Sequence, residues 1–504
     1  MANSVLMVVQ SIELNKGGMT TAMLTRSKMF YNYGVDANIV TFDYNIDYQS
    51  VIDTLVGAGK MDSRTKIINM YDFLDDLSCH EVKDHGSIQI SRQREIEENL
   101  GTLVKVKNDA TSYRYFDMIT GEYVCYVRFD TLGNIKFVDY MTNYLRTQRT
   151  IFYNGKQKKS VLYNSDGNVI AETLFNKKEL PFLAIKRNPV TQAIQNNYLF
   201  FSGMTFKNNI EIAKYFLKTY IADKPTTIIV DGPGSFPKVL DLNLENAKIY
   251  SIIHIDHMKL SESGKRTGNE QVKSSEKFIF NNCDKIEGII SLTEKQKVDM
   301  IEQFNLPKVV VIPNFQTTSN ELCYKIKEEN FVVSNISTLT KRKGFDRLCL
   351  VANEIKKQEP NIKFHLYGHG EYEEEIKKIV ANLHLEDTVF LKGYTNNIKE
   401  KLENEINLLV STSYAEGFGL SITEAMERGV PVVSFDINYG PSDIIVDGET
   451  GYLIEDDNIQ DMADKIIHLY NNPDVLKKFG ENSRKRILDE FSVETIMKKW
   501  MEIL

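Results

Sequence analysis

The feature that most constrains this chain is a change of hydrophobic period that happens twice. Short continuous apolar runs separated by helical stretches open the sequence. VLMVVQ is a run of buried-strand type, a helical pattern follows through Met23, Leu24, Met29 and Phe30, and ANIVTF reads as the next strand. From about residue 76 to 204 the texture becomes short alternating segments rich in Tyr, Phe, Val and Ile. Turn signals separate them at Thr120-Gly121, Gly133-Asn134, Asn154-Gly155 and Asp166-Gly167, the pattern of an antiparallel meander. Strand–helix alternation then resumes with TTIIV, KIYSIIH and GIISL. Across 313–488 it continues with FVVSNIS, KFHLYG, VFLKGY, INLLVST, PVVSFD and GYLIE. Alternating strands and helices wind into parallel sheets, and ligands bind such sheets outside the carboxyl ends of their strands.

The expected architecture is therefore α/β, with two Rossmann-like domains facing a cleft and an inserted antiparallel β domain. Residues 1–75 and 205–312 form the first domain, 76–204 the insertion and 313–488 the second domain. The amphipathic helix 489–504 closes back on the first. Thr293 and Gln296 form a capping-box signature for the helix after GIISL.

Composition narrows the partners. A net charge of −8 over 504 residues argues against a general nucleic-acid binder, so an anionic partner needs a local basic patch. No run of 18 apolar residues is present, and the first residues lack the basic stretch and long apolar core of a signal peptide. The five cysteines, Cys79, Cys125, Cys283, Cys323 and Cys349, are scattered, with no Cys-x-x-Cys pair. They read as reduced thiols of a cytoplasmic protein.

Four segments carry chemistry. In SYAEGFGLSITEAMERGVPVV (413–433), Glu416 follows a strand and Glu424 lies about one turn into the next helix. Gly417, Phe418 and Gly419 between them allow close approach of backbone to a ligand, and the helix start at Leu420 and Ser421 offers free amides to a diphosphate. Isolated carboxylates near a helix start are usually just solvated; the strand and the Gly-Phe-Gly turn favour the functional reading. In TLTKRKGFDRL (338–348), Lys343 lies between a strand and a helix, suited to a phosphate as a point charge, although basic turns also collect lysines that only face solvent. The pair Gly17-Gly18 after the first strand fits a phosphate approach or a plain tight turn equally well. In SIIHIDHMKL, His254 ends a strand and faces the cleft. A metal site of His254, Asp256 and His257 needs a further ligand that the sequence does not identify, and His257 reads as a plain loop histidine.

The segment 413–433 resembles the Glu-x7-Glu signature of the family 4 retaining glycosyltransferases of GT-B fold. GYTNNIKEKLENEINLLVSTSYAEGFGLSITEAM and GVPVVSFDINYGPSDIIVDGETGYLIE are similar to that family throughout. The resemblance implies a UDP-sugar donor held by Gly17, Gly18, Lys343, Tyr394, Glu416, Gly417, Phe418, Gly419, Leu420, Ser421 and Glu424. Glu416 and His254 then contact the donor sugar, Glu424 the ribose and Lys343 the diphosphate, so that Glu416, Lys343 and His254 carry catalysis. One departure stands out: the family has an arginine five residues before this lysine, and here Thr338 takes its place. Lys341 or Arg342 then supplies the second charge, or leaving-group stabilisation is weaker.

The opening NKGGMTTAMLTRSKMFYNYGVDANIVTFDY, the stretch IIVDGPGSFPKV and the β insertion resemble more closely the Gram-positive wall teichoic acid α-glycosyltransferases. This implies transfer of glucose or N-acetylglucosamine onto an anionic polyol-phosphate polymer, with UDP-glucose and poly(glycerol-phosphate) the favoured pair. Transfer retains the α configuration, with no cofactor and no metal. The resemblance also implies a homotrimer formed through the insertion, or an acceptor platform there, and peripheral association with the inner membrane face. Lys265 and Arg266 in KLSESGKRTG are candidate acceptor contacts. A same-fold transferase acting on plain sugars and a non-catalytic scaffold or chaperone are the alternatives.

Overall fold

The computed structural model describes residues 4–14, 18–81, 92–261, 271–317 and 331–504. Three sheets organise them. The first has seven parallel strands in the order Val309–Val311, Gly288–Ser291, Ala247–Ile253, Thr226–Val230, Ser4–Val8, Asp36–Thr41 and Ile67–Asn69. Its central strands, Thr226–Val230 and Ser4–Val8, are buried almost throughout, which is why they read as continuous apolar runs. The last sheet has six parallel strands in the order Val389–Gly393, Lys363–Tyr367, Val332–Ile336, Leu408–Ser411, Val432–Phe435 and Gly451–Ile454. In each sheet the strand order reverses once: between Ser4–Val8 and Thr226–Val230 in the first, and between Val332–Ile336 and Leu408–Ser411 in the last. Those are the topological switch points, where loops diverge at the carboxyl ends and leave a crevice.

Between the first sheet's third and fourth strands in the sequence lies a ten-stranded antiparallel sheet, from Val104–Asp109 to Thr205–Phe206, each strand bonded to its chain neighbour. Asn154 and Gly155 both have positive φ, the turn that matches strand twist in a two-residue hairpin. Two details differ from the sequence expectation. The sheet runs on to Phe206, and the helix Met70–Glu81 spans the expected boundary at 76. The insertion also lacks a single core of its own. Its outer end packs Tyr115, Cys125, Val127, Ile135, Val138 and Phe152 together. By contrast Leu174, Phe182, Leu183 and Leu199, at its inner end, join the core of the first parallel domain beside Phe216 and Val230.

The final helix, Val493–Ile503, crosses back to the first domain, where Trp500 meets Phe30 edge-on at 5.4 Å between ring centroids. The two parallel domains touch directly. Asp443 accepts from the amide of Glu294 at 2.6 Å, capping the helix Glu294–Phe304 from across the divide. The ring of His257 in the first domain stacks on Tyr439 of the second, 5.8 Å between centroids. Thr293 caps the same helix as expected, while the Gln296 side chain donates to the Ile255 carbonyl at 2.8 Å and ties down the loop beside His254.

Candidate active site

Loops from both switch points meet in one place. On the second domain, the loop after Val332–Ile336 carries Lys343 and the loop after Leu408–Ser411 carries Glu416. Lys343 Nζ donates to Glu416 Oε1, and Ser413 Oγ donates to the same oxygen at 2.7 Å. Arg342 donates to the Ala415 carbonyl at 2.6 Å and lies 3.5 Å from Glu416 Oε2. Burial alone pushes the Glu416 carboxyl up, but Lys343 and Arg342, with the hydrogen bonds from Lys343 and Ser413, outweigh it and hold the group below the ordinary glutamate value. Gly344, which ends the Lys343 turn, has φ +65°, and a Cβ there would lie 1.9 Å from the Thr412 carbonyl oxygen, so only glycine lets the two loops lie together.

Gly417 serves the contact between domains. A Cβ at this position would lie 1.9 Å from the carbonyl oxygen of His254, so the Glu416 elbow sits against the end of strand Ala247–Ile253. His254 is thereby brought beside Glu416. Gly419 precedes the helix Leu420–Glu427, whose start carries no side-chain cap and no acid in its first turn. The helix Gly18–Asn32 likewise has no acid in its first turn, and a Cβ on Gly18 would lie 3.4 Å from Leu420 Cδ1. Two helix amino termini, one from each domain, thus converge over the crevice. Each points the positive end of its dipole there, and the helix Leu420–Glu427 does so without a side-chain cap. Glu424, in the second turn of its helix, is half-buried, and burial pushes its carboxyl up to about 7 against a weak opposing pull from Lys399.

Of the residues expected at the site, the structure pairs Lys343 with Glu416, sets Gly417 against the backbone of His254 and brings Gly18 beside Leu420, while Phe418 is buried against Phe491. Tyr394 stands apart: it follows the edge strand Val389–Gly393, two strands removed from Leu408–Ser411, and its exposed ring stacks on His369. Gly17, Lys265 and Arg266 lie outside the described residues. Thr338 is exposed, and the second cation at Glu416 is Arg342 rather than Lys341. His257 corrects an expectation. It is no plain loop histidine but fully buried, its ring stacked on Tyr439 of the other domain at 5.8 Å and edge-on to Phe280 and Phe304. Burial follows from its position where the two domains close over the loop. Among the described residues, no group of three or more His, Cys, Asp or Glu side chains is placed to hold a metal ion.

Two buried residues behind His254 are absent from the sequence reading. Asp231 ends strand Thr226–Val230 as His254 ends its neighbour, and its carboxylate accepts from His254 Nε2 at 2.8 Å and from Arg26 at 2.6 Å. The same strand-end rule that selects His254 would have found Asp231. Arg26, in the middle of a helix, gives no such signal.

A family model described as "Glycosyl transferases group 1" matches residues 294–486. The chain is 38% identical over 500 residues to the poly(ribitol-phosphate) alpha-N-acetylglucosaminyltransferase of Staphylococcus aureus (strain COL), covering 99% of each. It is 27% identical to the poly(glycerol-phosphate) alpha-glucosyltransferase of Bacillus subtilis (strain 168), covering 96% of this chain and 72% of that one. A crystal structure of a mutant of S. aureus TarM, in complex with fondaparinux, alpha-GlcNAc-glycerol and UDP, superposes with a TM-score of 0.87 at 36% identity, covering 99% of both chains. With its two facing parallel domains and inserted antiparallel sheet, this chain belongs to the group 1 glycosyltransferases of GT-B fold.

Proposed function

We propose that this enzyme transfers a hexose from a UDP-sugar, with retention of the α configuration, onto a hydroxyl of a polyol-phosphate wall teichoic acid. The observation that carries this reading is the Glu416 elbow: one carboxylate gripped by Lys343 and Arg342, followed by a glycine that packs on the His254 backbone, beside two converging helix amino termini. An excess of fixed positive charge at that point suits a sugar diphosphate. The helix start at Leu420 and Ser421, the Gly18 amide, Lys343 and Arg342 take the diphosphate, with Arg342 filling the role left open by Thr338. Glu416 and His254 hold the sugar and Glu424 the ribose.

In the reaction, the bond from the anomeric carbon to the β-phosphate oxygen breaks and the acceptor oxygen bonds to the same face. The acceptor proton passes to a phosphate oxygen of the departing UDP. The protein contributes position and charge stabilisation. A divalent cation is not required, because fixed cations do its work; loss of turnover on chelation with rescue by Mg²⁺ would overturn that part.

The relative at 38% identity is a poly(ribitol-phosphate) alpha-N-acetylglucosaminyltransferase and the one at 27% a poly(glycerol-phosphate) alpha-glucosyltransferase. That difference favours UDP-N-acetylglucosamine and ribitol phosphate, the reverse of the pair favoured from sequence alone. Incubating the enzyme with both donors and both polymers and measuring sugar incorporation tests the whole reading; no transfer in any of the four combinations would reject it. A UDP-sugar donor places the reaction in the cytoplasm, with the polymer drawing the enzyme to the inner membrane face. Among the described residues no helix is long and apolar enough to cross a membrane.

The insertion supplies an oligomer contact, consistent with a trimer. Met118, Ile119, Tyr144 and Leu145 are exposed on neighbouring hairpin tips at its outer end, and the Tyr123 and Tyr144 rings lie 6.0 Å apart. Replacing Ile119 by Arg should lower the mass measured by light scattering to that of a monomer.

A further inference from the structure

Arg26, Asp231 and His254 form a chain of contacts that the sugar-transfer reading does not by itself require. Asp231 is fully buried and Arg26 4% exposed. A buried carboxylate persists only when paired and hydrogen-bonded. Arg26 bonds both of its oxygens, and one oxygen also accepts from Nε2 of His254 at 2.8 Å. Burial alone raises the Asp231 carboxyl, yet Arg26 and His254 outweigh it and hold it below the usual aspartate value, so it stays ionised beside the imidazole. Arg26 is held in turn by Trp500 of the last helix, whose ring centroid lies 5.1 Å from its guanidinium carbon.

We propose that Asp231 is a positioning residue for sugar transfer: by accepting from Nε2 of His254 it fixes the imidazole's tautomer and ring plane, leaving Nδ1 for a hydroxyl of the donor sugar. The inference rests on the assignment of His254 to the donor sugar. The physics is that of any histidine whose second nitrogen is set by a carboxylate: the partner decides which nitrogen carries the proton and where the ring points. Arg26 keeps that carboxylate ionised and Trp500 keeps Arg26 in place. The last helix thus reaches the catalytic crevice through two side chains.

The test is a cycle of Asp231→Asn, His254→Ala and the two combined, reading kcat for transfer and, separately, UDP affinity. Asp231→Asn should lower kcat by about tenfold or more with UDP affinity unchanged. Because Asp231 acts through His254, the combined variant should lose no more kcat than His254→Ala alone. Losses that multiply, or wild-type kcat in Asp231→Asn, would overturn the proposal. Arg26→Gln with Asp231→Asn, which leaves no bare buried charge, guards against misfolding and should also stay slow; a return to wild-type kcat there would mean that Asp231 only balances Arg26. A fully active His254→Ala enzyme would overturn this proposal and the donor-sugar assignment together, whereas an impaired His254→Ala beside an unimpaired Asp231→Asn overturns this one alone.

Discussion

On the second domain's wall of the crevice, two cations, Lys343 and Arg342, converge on one carboxylate, Glu416. On the first domain's wall one cation, Arg26, meets one carboxylate, Asp231, and the third member is the imidazole of His254. Both clusters stand at the switch point of a parallel sheet, so the same topology builds them. Their solvent contact differs: the side chains of Arg342 and Glu416 are 42% and 12% exposed, those of Arg26 and Asp231 4% and 0%. The open cluster carries net positive charge and can exchange partners, as a site for a diphosphate must. The closed cluster is balanced and fixed, and its use is to hold an orientation. Similar loop positions on two sheets thus serve two purposes, and burial decides between them.

If that division is right, breaking the closed cluster costs stability and breaking the open one costs rate. Arg26→Met leaves the Asp231 carboxylate buried without its main partner and should destabilise the fold by about 3–5 kcal/mol. The charge-balanced pair Arg26→Met with Asp231→Asn should cost less, measured by thermal unfolding of each. Equal losses would place the Arg26 contribution in packing on Trp500 rather than in charge. Lys343→Ala should leave the melting temperature nearly unchanged, since Arg342 and Ser413 remain on Glu416. It should lower kcat by about 10²–10³-fold, the cost of removing one fixed stabilising group from developing charge. A normal kcat with lowered stability would reverse the comparison.

The sequence revealed the open cluster better than the closed one, for a physical reason. Glu416, Gly417 and Gly419 lie within four residues, and Lys343 sits on a strand-to-helix turn, so local spacing reports them. Arg26 and Asp231 are 205 residues apart and meet only through the sheet. Period-2 alternation disclosed the meander and its turns, but a pattern of one buried face cannot say what covers it. That Leu183 and Leu199 pack into the neighbouring domain's core was therefore not legible. His257 was misread for the same reason, its partner Tyr439 coming from the other domain. At Thr338 the sequence left two outcomes open, a second charge from Lys341 or Arg342 or a weaker hold on the leaving group, and the structure puts Arg342 beside Glu416. This sharpens into a smaller prediction: Arg342→Ala should lower kcat about tenfold, and adding Thr338→Arg should restore part of it if charge at that spot is what matters. No recovery would mean that the Arg342 contact with the Ala415 carbonyl, which shapes the elbow, is the part that counts.

The subtlest effect concerns Glu424, eight residues beyond Glu416 on the same wall and without its cations. Burial holds its carboxyl at about 7 in the folded chain against 4.5 ordinarily. Below pH 4.5 the group is neutral folded or unfolded. Between 4.5 and about 7 the folded chain keeps a proton that the unfolded chain has released, so stability falls as pH rises through that window and levels off above it. Glu424→Gln, which cannot ionise, should escape this loss. The difference in melting temperature between variant and wild type should move in the variant's favour from pH 4.5 to 7 and then stay constant. A difference independent of pH would mean that the carboxyl is already ionised. UDP sharpens the same measurement. Ribose hydroxyls donating to Glu424 favour its charged form, so UDP binding near pH 7 should release a proton in wild type and less in Glu424→Gln, measurable by calorimetry in buffers of different ionisation enthalpy. Equal release in the two proteins would remove Glu424 from the ribose.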